Sequence, residues 1–346
     1  MRKTQMKTVP VRDAVGCVLC HDMTEIVPGE HKGPAFRKGH VVQESDIERL
    51  LRMGKEHLYV YEPREGLIHE DEAARRLVCA IAGEHLHASE PKEGRIDLKA
   101  AQNGLLRVDV ETLTAVNRMD GITVATLHSW QYVTKGRTVA GTRIVPLLIE
   151  DEVLQAVEQQ VKKPLIDILP LKSAKVGLVT TGSEIASGRI KDAFGPVLCA
   201  KFAELGSTVL GQSITSDNVD EIVNAIRSYL DQGVDCIAVT GGMSVDPDDT
   251  TPLAIRAAGA EIVCYGAPVY PGAMFLLAWA KGPHGQVPIL GLPGCVMYYK
   301  ASIFDLVVPR LLAGCPVTAE TIAALGHGGL CSQCTSCHYP VCPFGK

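Results

Sequence analysis

The chain has 346 residues, enough for about two domains that each bury a core of their own. With 46% hydrophobic and 21% charged residues it has the balance of an ordinary globular protein, which excludes long disordered, collagenous or coiled-coil stretches. A net charge of -5 supplies no global attraction for nucleic acid or anionic lipid, so an anion site has to be built locally. The longest uncharged apolar stretch, Ala273 to Ala280, falls far short of the roughly 20 residues of a membrane span. The start, MRKTQMKTVP, lacks the apolar run of a secretory signal, so the expectation is a cytoplasmic protein that contacts neither membrane nor nucleic acid.

In chain order, Ser45 to Leu51 reads as a short helix capped by Ser45, and His69 to Gly83 as an amphipathic helix with Ala73, Leu77, Ala80 and Ile81 inward. Cys17 and Cys20, inside the apolar run AVGCVLC, read as core. His69-Glu70-Asp71-Glu72 is one histidine short of a zincin helix and reads as an acidic helix start. Residues 94–148 alternate β-branched runs (LLRVDV, GITVATL, RIVPLLI) with polar turns. From Lys175 the pattern becomes strand, helix, strand: strands at 175–181, 208–214 and 235–240, and helices at 195–205, at 217–232 with Asp217 as cap, and from Thr251 to Ala258. Further strands near 260–264, 273–278 and 287–291 precede a last helix over 297–312. The expected fold is α/β, a mostly parallel open sheet with helices on both faces. The expected division is an α+β region at 1–90, a β-containing domain at 91–165, the α/β domain at 172–314 and a Cys-rich tail at 327–346.

Three glycine turns directly follow predicted strands: Thr181-Gly182-Ser183-Glu184, Gly241-Gly242-Met243-Ser244 and Leu292-Pro293-Gly294. In an open α/β sheet, ligands bind beyond the carboxyl ends of the strands, where glycine lets backbone approach a phosphate without an intervening Cβ. Any strand-to-helix turn can use glycine for its backbone freedom alone, but three such turns together point to a ligand rim. Asp246-Pro247-Asp248-Asp249 places three carboxylates beside the second turn, a hard-oxygen set suited to Mg²⁺ or, more plainly, an acidic helix cap. Walker A and Gly-x-Gly-x-x-Gly spacings are absent from the sequence.

These turns, in this order and joined by Pro271-Gly272, resemble the molybdopterin-binding domain of molybdopterin molybdenumtransferases, adenylyltransferases and gephyrin. The resemblance covers about Lys175 to Leu312. It implies that Thr181, Gly182, Ser183, Gly241, Gly242, Ser244, Pro271, Gly272, Pro293 and Gly294 bind the pterin and its phosphate. It also implies that Asp249, Glu184 and Asp246 carry the chemistry, with Asp248 and Asp249 holding Mg²⁺. The implied ligand is molybdopterin or its adenylylated form, the implied reaction Mg²⁺-dependent molybdenum insertion, and the implied partners molybdoenzyme or tungstoenzyme clients and further copies of the chain. Two family positions differ: Ser183 replaces an aspartate, and Cys295-Val296 replaces Asn-Pro. These departures keep open a second class of function, a non-catalytic cofactor carrier or a redox or metal sensor.

The sensor reading turns on the tail. The sequence has 12 cysteines, of which Cys331, Cys334, Cys337 and Cys342 fall in the last 16 residues. Their spacing, two, two and four intervening residues and then a Cys-Pro pair, nearly matches the bacterial ferredoxin run, which has three residues in the last gap. A 4Fe-4S cluster and a tetrahedral Cys₄ Zn²⁺ site are the two metal readings, and a metal-free thiol tail is the third.

Overall fold

The computed structural model describes residues 7–27, 31–60, 65–244 and 249–346, with the side chains of Val27, His31 and Lys32 left aside. The chain divides into two units: residues 1–102, 107–127 and 134–168, and residues 103–106, 128–133 and 169–346. Among the described residues no helix is long and apolar enough to cross a membrane.

The first unit carries an antiparallel sheet in the order Leu86–Ala88, Arg95–Ala100, Thr138–Ile144, Ile122–Thr126. Alternation in Arg95–Ala100 buries Ile96, Leu98 and Ala100, the period-2 signature of a sheet with one covered face. The amphipathic helix Glu70–Ile81 buries Ala73, Ala74, Leu77, Val78 and Ile81, and the His69 ring accepts a hydrogen bond from the Asp71 N–H at its start. A second helix, Val110–Asn117, stands between strands where the β-branched pattern had suggested none. Asp109 decides it, accepting hydrogen bonds from the Thr112 backbone N–H (3.0 Å) and hydroxyl (2.7 Å). Nearer the N-terminus, Val11, Leu19, Met23, Phe36, Leu50 and Leu58 form a small core of their own.

In the second unit we number the elements of the α/β domain alone. They are β1 (Lys175–Thr181), α1 (Ser183–Ala186), α2 (Phe194–Glu204), β2 (Thr208–Thr215), α3 (Val219–Asp231) and β3 (Cys236–Thr240). There follow α4 (Thr251–Ala257), β4 (Glu261–Tyr265), β5 (Leu276–Gly282), β6 (Gly285–Leu292), α5 (Cys295–Tyr298), α6 (Ile303–Leu312) and α7 (Ala319–Ala324). The six strands form one sheet in the order β2-β1-β3-β6-β5-β4.

Both faces of this sheet are covered, which is why its central strands are apolar at nearly every position rather than alternating. Val176 and Leu178 of β1 face one core with Leu198 and Phe202 of α2, Phe304 and Val307 of α6 and Ile322 of α7. Val179 of β1, and Ile237 and Val239 of β3, face the other with Ile222, Ile226 and Tyr229 of α3 and Ile255 of α4. Phe202 and Phe304 meet edge to face at 5.0 Å between ring centroids.

The sheet is mixed: β2, β1, β3 and β6 run parallel, whereas β5 is antiparallel to β6 and β4 to β5. The cause lies in the connections. Parallel neighbours need a crossover, and α2, α3 and α4 supply crossovers earlier in the domain. Only Pro283 and His284 separate β5 from β6, so that pair closes as a hairpin. The last predicted helix is also two. Tyr299 and Ser302 are extended, and Ser302 with Asp305 forms a capping box that starts α6 afresh.

Candidate functional site

The register of the parallel strands brings the glycine turns to one level. Thr181 lies opposite Thr215, Thr180 opposite Thr240, and Thr240 opposite Leu292, so β2, β1, β3 and β6 all end together at one edge of the sheet. Leu276, the first residue of antiparallel β5, pairs with Gly291, so the loop carrying Pro271 and Gly272 arrives at the same edge.

At the β1 and β3 ends the turns are packed backbone to backbone. Gly241 and Gly242 have φ of 87° and 53°, a region that favours glycine. A Cβ on Gly241 would lie 2.2 Å from the Thr181 carbonyl oxygen, and one on Gly242 2.8 Å from the Thr251 hydroxyl. Thr251 is fully buried and ties the knot: its hydroxyl donates to the Gly241 carbonyl at 2.8 Å and lies 3.3 Å from the Thr181 hydroxyl. The buried Thr180 and Thr240 hydroxyls share a further bond at 3.2 Å beneath it.

Asp217 does not cap α3. Asn218 does so, accepting from the Asp220 and Glu221 N–H groups, while Asp217 reaches across to the first turn. Its carboxylate accepts from the Ser183 N–H (2.9 Å) and hydroxyl (2.8 Å), and its carbonyl accepts from the Thr250 hydroxyl (2.7 Å). Ser183, at a position where the family has an acid, is therefore a donor fastened to an acid from the next loop. Glu184 is exposed, its carboxylate folded over Gly182 about 3.0 Å from where a Cβ would stand. Asp249 is half-buried and close enough to Tyr265 for its charge, after burial itself, to help hold that phenol above its ordinary pKa. The Tyr265 hydroxyl donates to the carbonyls of Met243 and Ser244, at 3.0 and 3.3 Å, bracing the second turn. Asp246 and Asp248 lie outside the described residues.

At the β6 end the construction is open. Gly294 has φ of -52°, and the nearest atom to a Cβ there is Phe194 Cζ at 4.0 Å, so neither backbone nor space demands glycine. A cavity of about 370 Å³ lies here, lined by Pro271, Gly272, Pro293, Cys295 and two tyrosines, Tyr270 and Tyr299. Both tyrosines are solvent-exposed, at 59% and 41%. Burial raises the pKa of the Cys295 thiol, which therefore stays protonated at neutral pH and is a poor nucleophile or metal ligand. Gln333 of the C-terminal tail closes one side of the cavity.

The predicted residues thus fall into two groups, a closed knot around Thr181, Gly182, Ser183, Gly241 and Gly242 and an open cavity around Pro271, Gly272 and Pro293. Among the described residues no three Cys, His, Asp or Glu side chains gather as they would around a single metal ion. The sequence reads Asp217 and Thr251 only as helix starts, and it does not single out Tyr265, Tyr270 or Tyr299. A signal existed for the last two, since exposed tyrosines flank the Pro-Gly and Leu-Pro-Gly turns; none existed for Asp217, whose place before a helix reads as a cap.

Residues 177–313 match a family model described as "Probable molybdopterin binding domain", and residues 8–62 match one described as "Domain of unknown function (DUF8806)". That similarity to a molybdopterin-binding domain is confined to residues 177–313. Among curated proteins, a CinA-like protein of Mycobacterium avium is 38% identical over 92 residues, covering 26% of this chain and 21% of its own length. One from Mycobacterium tuberculosis H37Rv is 36% identical over 92 residues, with the same coverage. The chain thus spans about a fifth of the length of the curated relatives it matches. Among solved structures, the molybdopterin biosynthesis enzyme MoaB of Thermus thermophilus shares 19% identity at a TM-score of 0.32, covering 41% of this chain and 98% of its own. The tungsten cofactor synthesizing protein MoaB of Pyrococcus furiosus shares 18% at 0.33, covering 41% and 97%.

Proposed function

We propose that the rim binds molybdopterin in molybdenum cofactor biosynthesis, the knot at Thr181, Gly241 and Gly242 receiving the phosphate and the cavity beside Pro271 and Pro293 receiving the ring system. The observation that carries this reading is the common level of four strand ends, where glycine turns keep side chains away from the edge of the sheet. Tyr270 and Tyr299 offer flat apolar faces for stacking the pterin, and an aromatic platform suits a planar heterocycle whatever its substituents.

In the catalytic form of the proposal the ligand is adenylylated molybdopterin and the reaction molybdenum insertion. Asp249 and Glu184, with Asp246 and Asp248, are the hard-oxygen donors that would hold Mg²⁺, which when bound neutralises phosphate charge. Asp217 is the positioning residue: by holding Ser183 and Thr250 together it keeps the first turn against the start of α4. The product would pass to a molybdoenzyme or tungstoenzyme, and the chain would act as a homo-oligomer. A second reading, a cofactor carrier that binds without turnover, is favoured by Cys295, a protonated thiol at a family asparagine position within the cavity.

Titrating the full chain with molybdopterin and with its adenylylated form, while following AMP release in the presence of Mg²⁺ and molybdate, separates these readings. Binding with AMP release that Asp249→Ala abolishes is the result expected of an insertase. Binding without release leaves the carrier, and no binding of either form overturns the proposal.

A further inference from the structure

The cysteine tail is folded into the α/β unit, with both of its ends pinned. Before the first cysteine, the Tyr270 N–H donates to the Gly329 carbonyl and the Cys331 N–H to the Tyr270 carbonyl, each at 2.8 Å. After the last, Phe344 is 2% exposed within the core that contains Phe304 and Val307, and the Gly345 N–H donates to the Gly328 carbonyl at 2.9 Å. Between these anchors the Tyr339 hydroxyl donates to the Asp305 carbonyl at 3.1 Å, and its ring meets Phe344 edge to face.

The loop so held borders a cavity of about 200 Å³, and all four cysteines, Cys331, Cys334, Cys337 and Cys342, are among the residues that line it. Between the first two cysteines Gln333 has φ of 52°, a left-handed conformation uncommon for a side-chain-bearing residue. A single tetrahedral ion would draw its sulfurs to about 2.3 Å from one point. Here the four cysteines border one cavity, and among the described residues no three Cys, His, Asp or Glu side chains gather as they would around one ion. A polynuclear core, each of whose irons takes one thiolate, matches four sulfurs spread around a cavity.

We infer that Cys331, Cys334, Cys337 and Cys342 ligate one 4Fe-4S cluster within the cavity that the folded tail encloses. The site stands apart from the proposed pterin chemistry and does not depend on it. The two cavities nonetheless share Tyr299 and Gln333 as walls, which places the cluster behind one side of the rim.

The test uses ligand exchange. The full chain, purified anaerobically with its metals removed, is mixed with a preformed [4Fe-4S]²⁺ complex of a small thiolate. Four iron–thiolate bonds to the small ligand break and four to cysteine form, the cysteine protons leave on the displaced thiolates, and no oxidation state changes. The expected result is one cluster per chain, with iron and acid-labile sulfide in equal amounts and broad visible absorption that follows the protein through gel filtration. Cys334→Ser and Cys337→Ser should each lower bound iron more than ~10-fold. Both residues are exposed, so the unloaded variants should melt like the parent, and Cys199→Ser, at an exposed cysteine elsewhere, should load fully. No uptake, full uptake by both tail variants, or one tightly held Zn²⁺ that excludes the cluster when zinc alone is offered would each overturn the assignment.

Discussion

At the Thr181 end of the rim the backbone packs against itself, and at the Pro293 end side chains surround open space. Both ends belong to the same sheet edge and both are announced by glycine, yet the glycines do different work. Gly241 and Gly242 are required by the fold, since their φ values and the nearness of Thr181 and Thr251 leave no place for a Cβ. Gly294 has a helical φ and free room around it, so the fold does not explain it. A glycine that folding does not need is the better indicator of a ligand, and that shifts weight toward the cavity beside Pro293.

The sharpest break of this comparison is the pair Gly241→Ala and Gly294→Ala. Adding strain at positive φ to a clash with backbone, Gly241→Ala should cost about 4 kcal/mol in urea unfolding. Gly294→Ala should stay within ~0.5 kcal/mol of the parent while weakening molybdopterin binding, and equal stability losses for the two would erase the distinction.

Next in size is the support behind the open end. Lys201 of α2 meets both carboxylate oxygens of Asp305, at 2.9 and 3.0 Å, in a mostly buried pair that burial alone would push toward a neutral acid. Lys201→Ala strands that carboxylate and should lower stability by about 3 kcal/mol, and substituting Leu for Lys201 and Asn for Asp305 together should restore much of the loss. Tyr339→Phe removes one hydrogen bond from the tail to Asp305 and should cost about 1 kcal/mol by the same unfolding assay.

The smallest effect is kinetic. Because burial raises the Cys295 pKa, its alkylation by a neutral reagent should be slow at pH 7 and climb with pH beyond the range where an ordinary thiol levels off. Molybdopterin should slow that reaction if it fills the cavity, and mass spectrometry of the Cys295 peptide reads the difference. Alkylation that is fast at neutral pH would show the thiol to be more solvated than its place in the cavity wall implies.

Local chemistry made much of this legible. The apolar runs of β1 and β3, the Gly206 and Gly259 stops, and the proline in the first turn of α4 follow from burial on two faces, left-handed backbone and a fixed φ, all of which act over a few residues, whereas Thr251, which reads as the cap, lies inside the helix behind Thr250. The same local rules gave the wrong reading where two were in competition. Asp217 and Asn218 are both competent caps, and only the position of Ser183, 34 residues upstream, draws Asp217 away. Val110–Asn117 carries strand-forming residues, and the Asp109 cap outweighed them.

Strand direction, the shared level of the four strand ends and the gathering of the tail cysteines along one cavity are decided by tertiary structure. Composition and motifs name the turns and the cysteines, and their spacing limits which chemistry they can perform. Whether the turns meet depends on register, which is set by cores on both faces of the sheet, and whether the thiols face one cavity depends on Phe344 and Tyr270 pinning the two ends of the loop. Each is a contact between residues distant in sequence, whose strength comes from the burial of surface that no short segment can hide from water by itself.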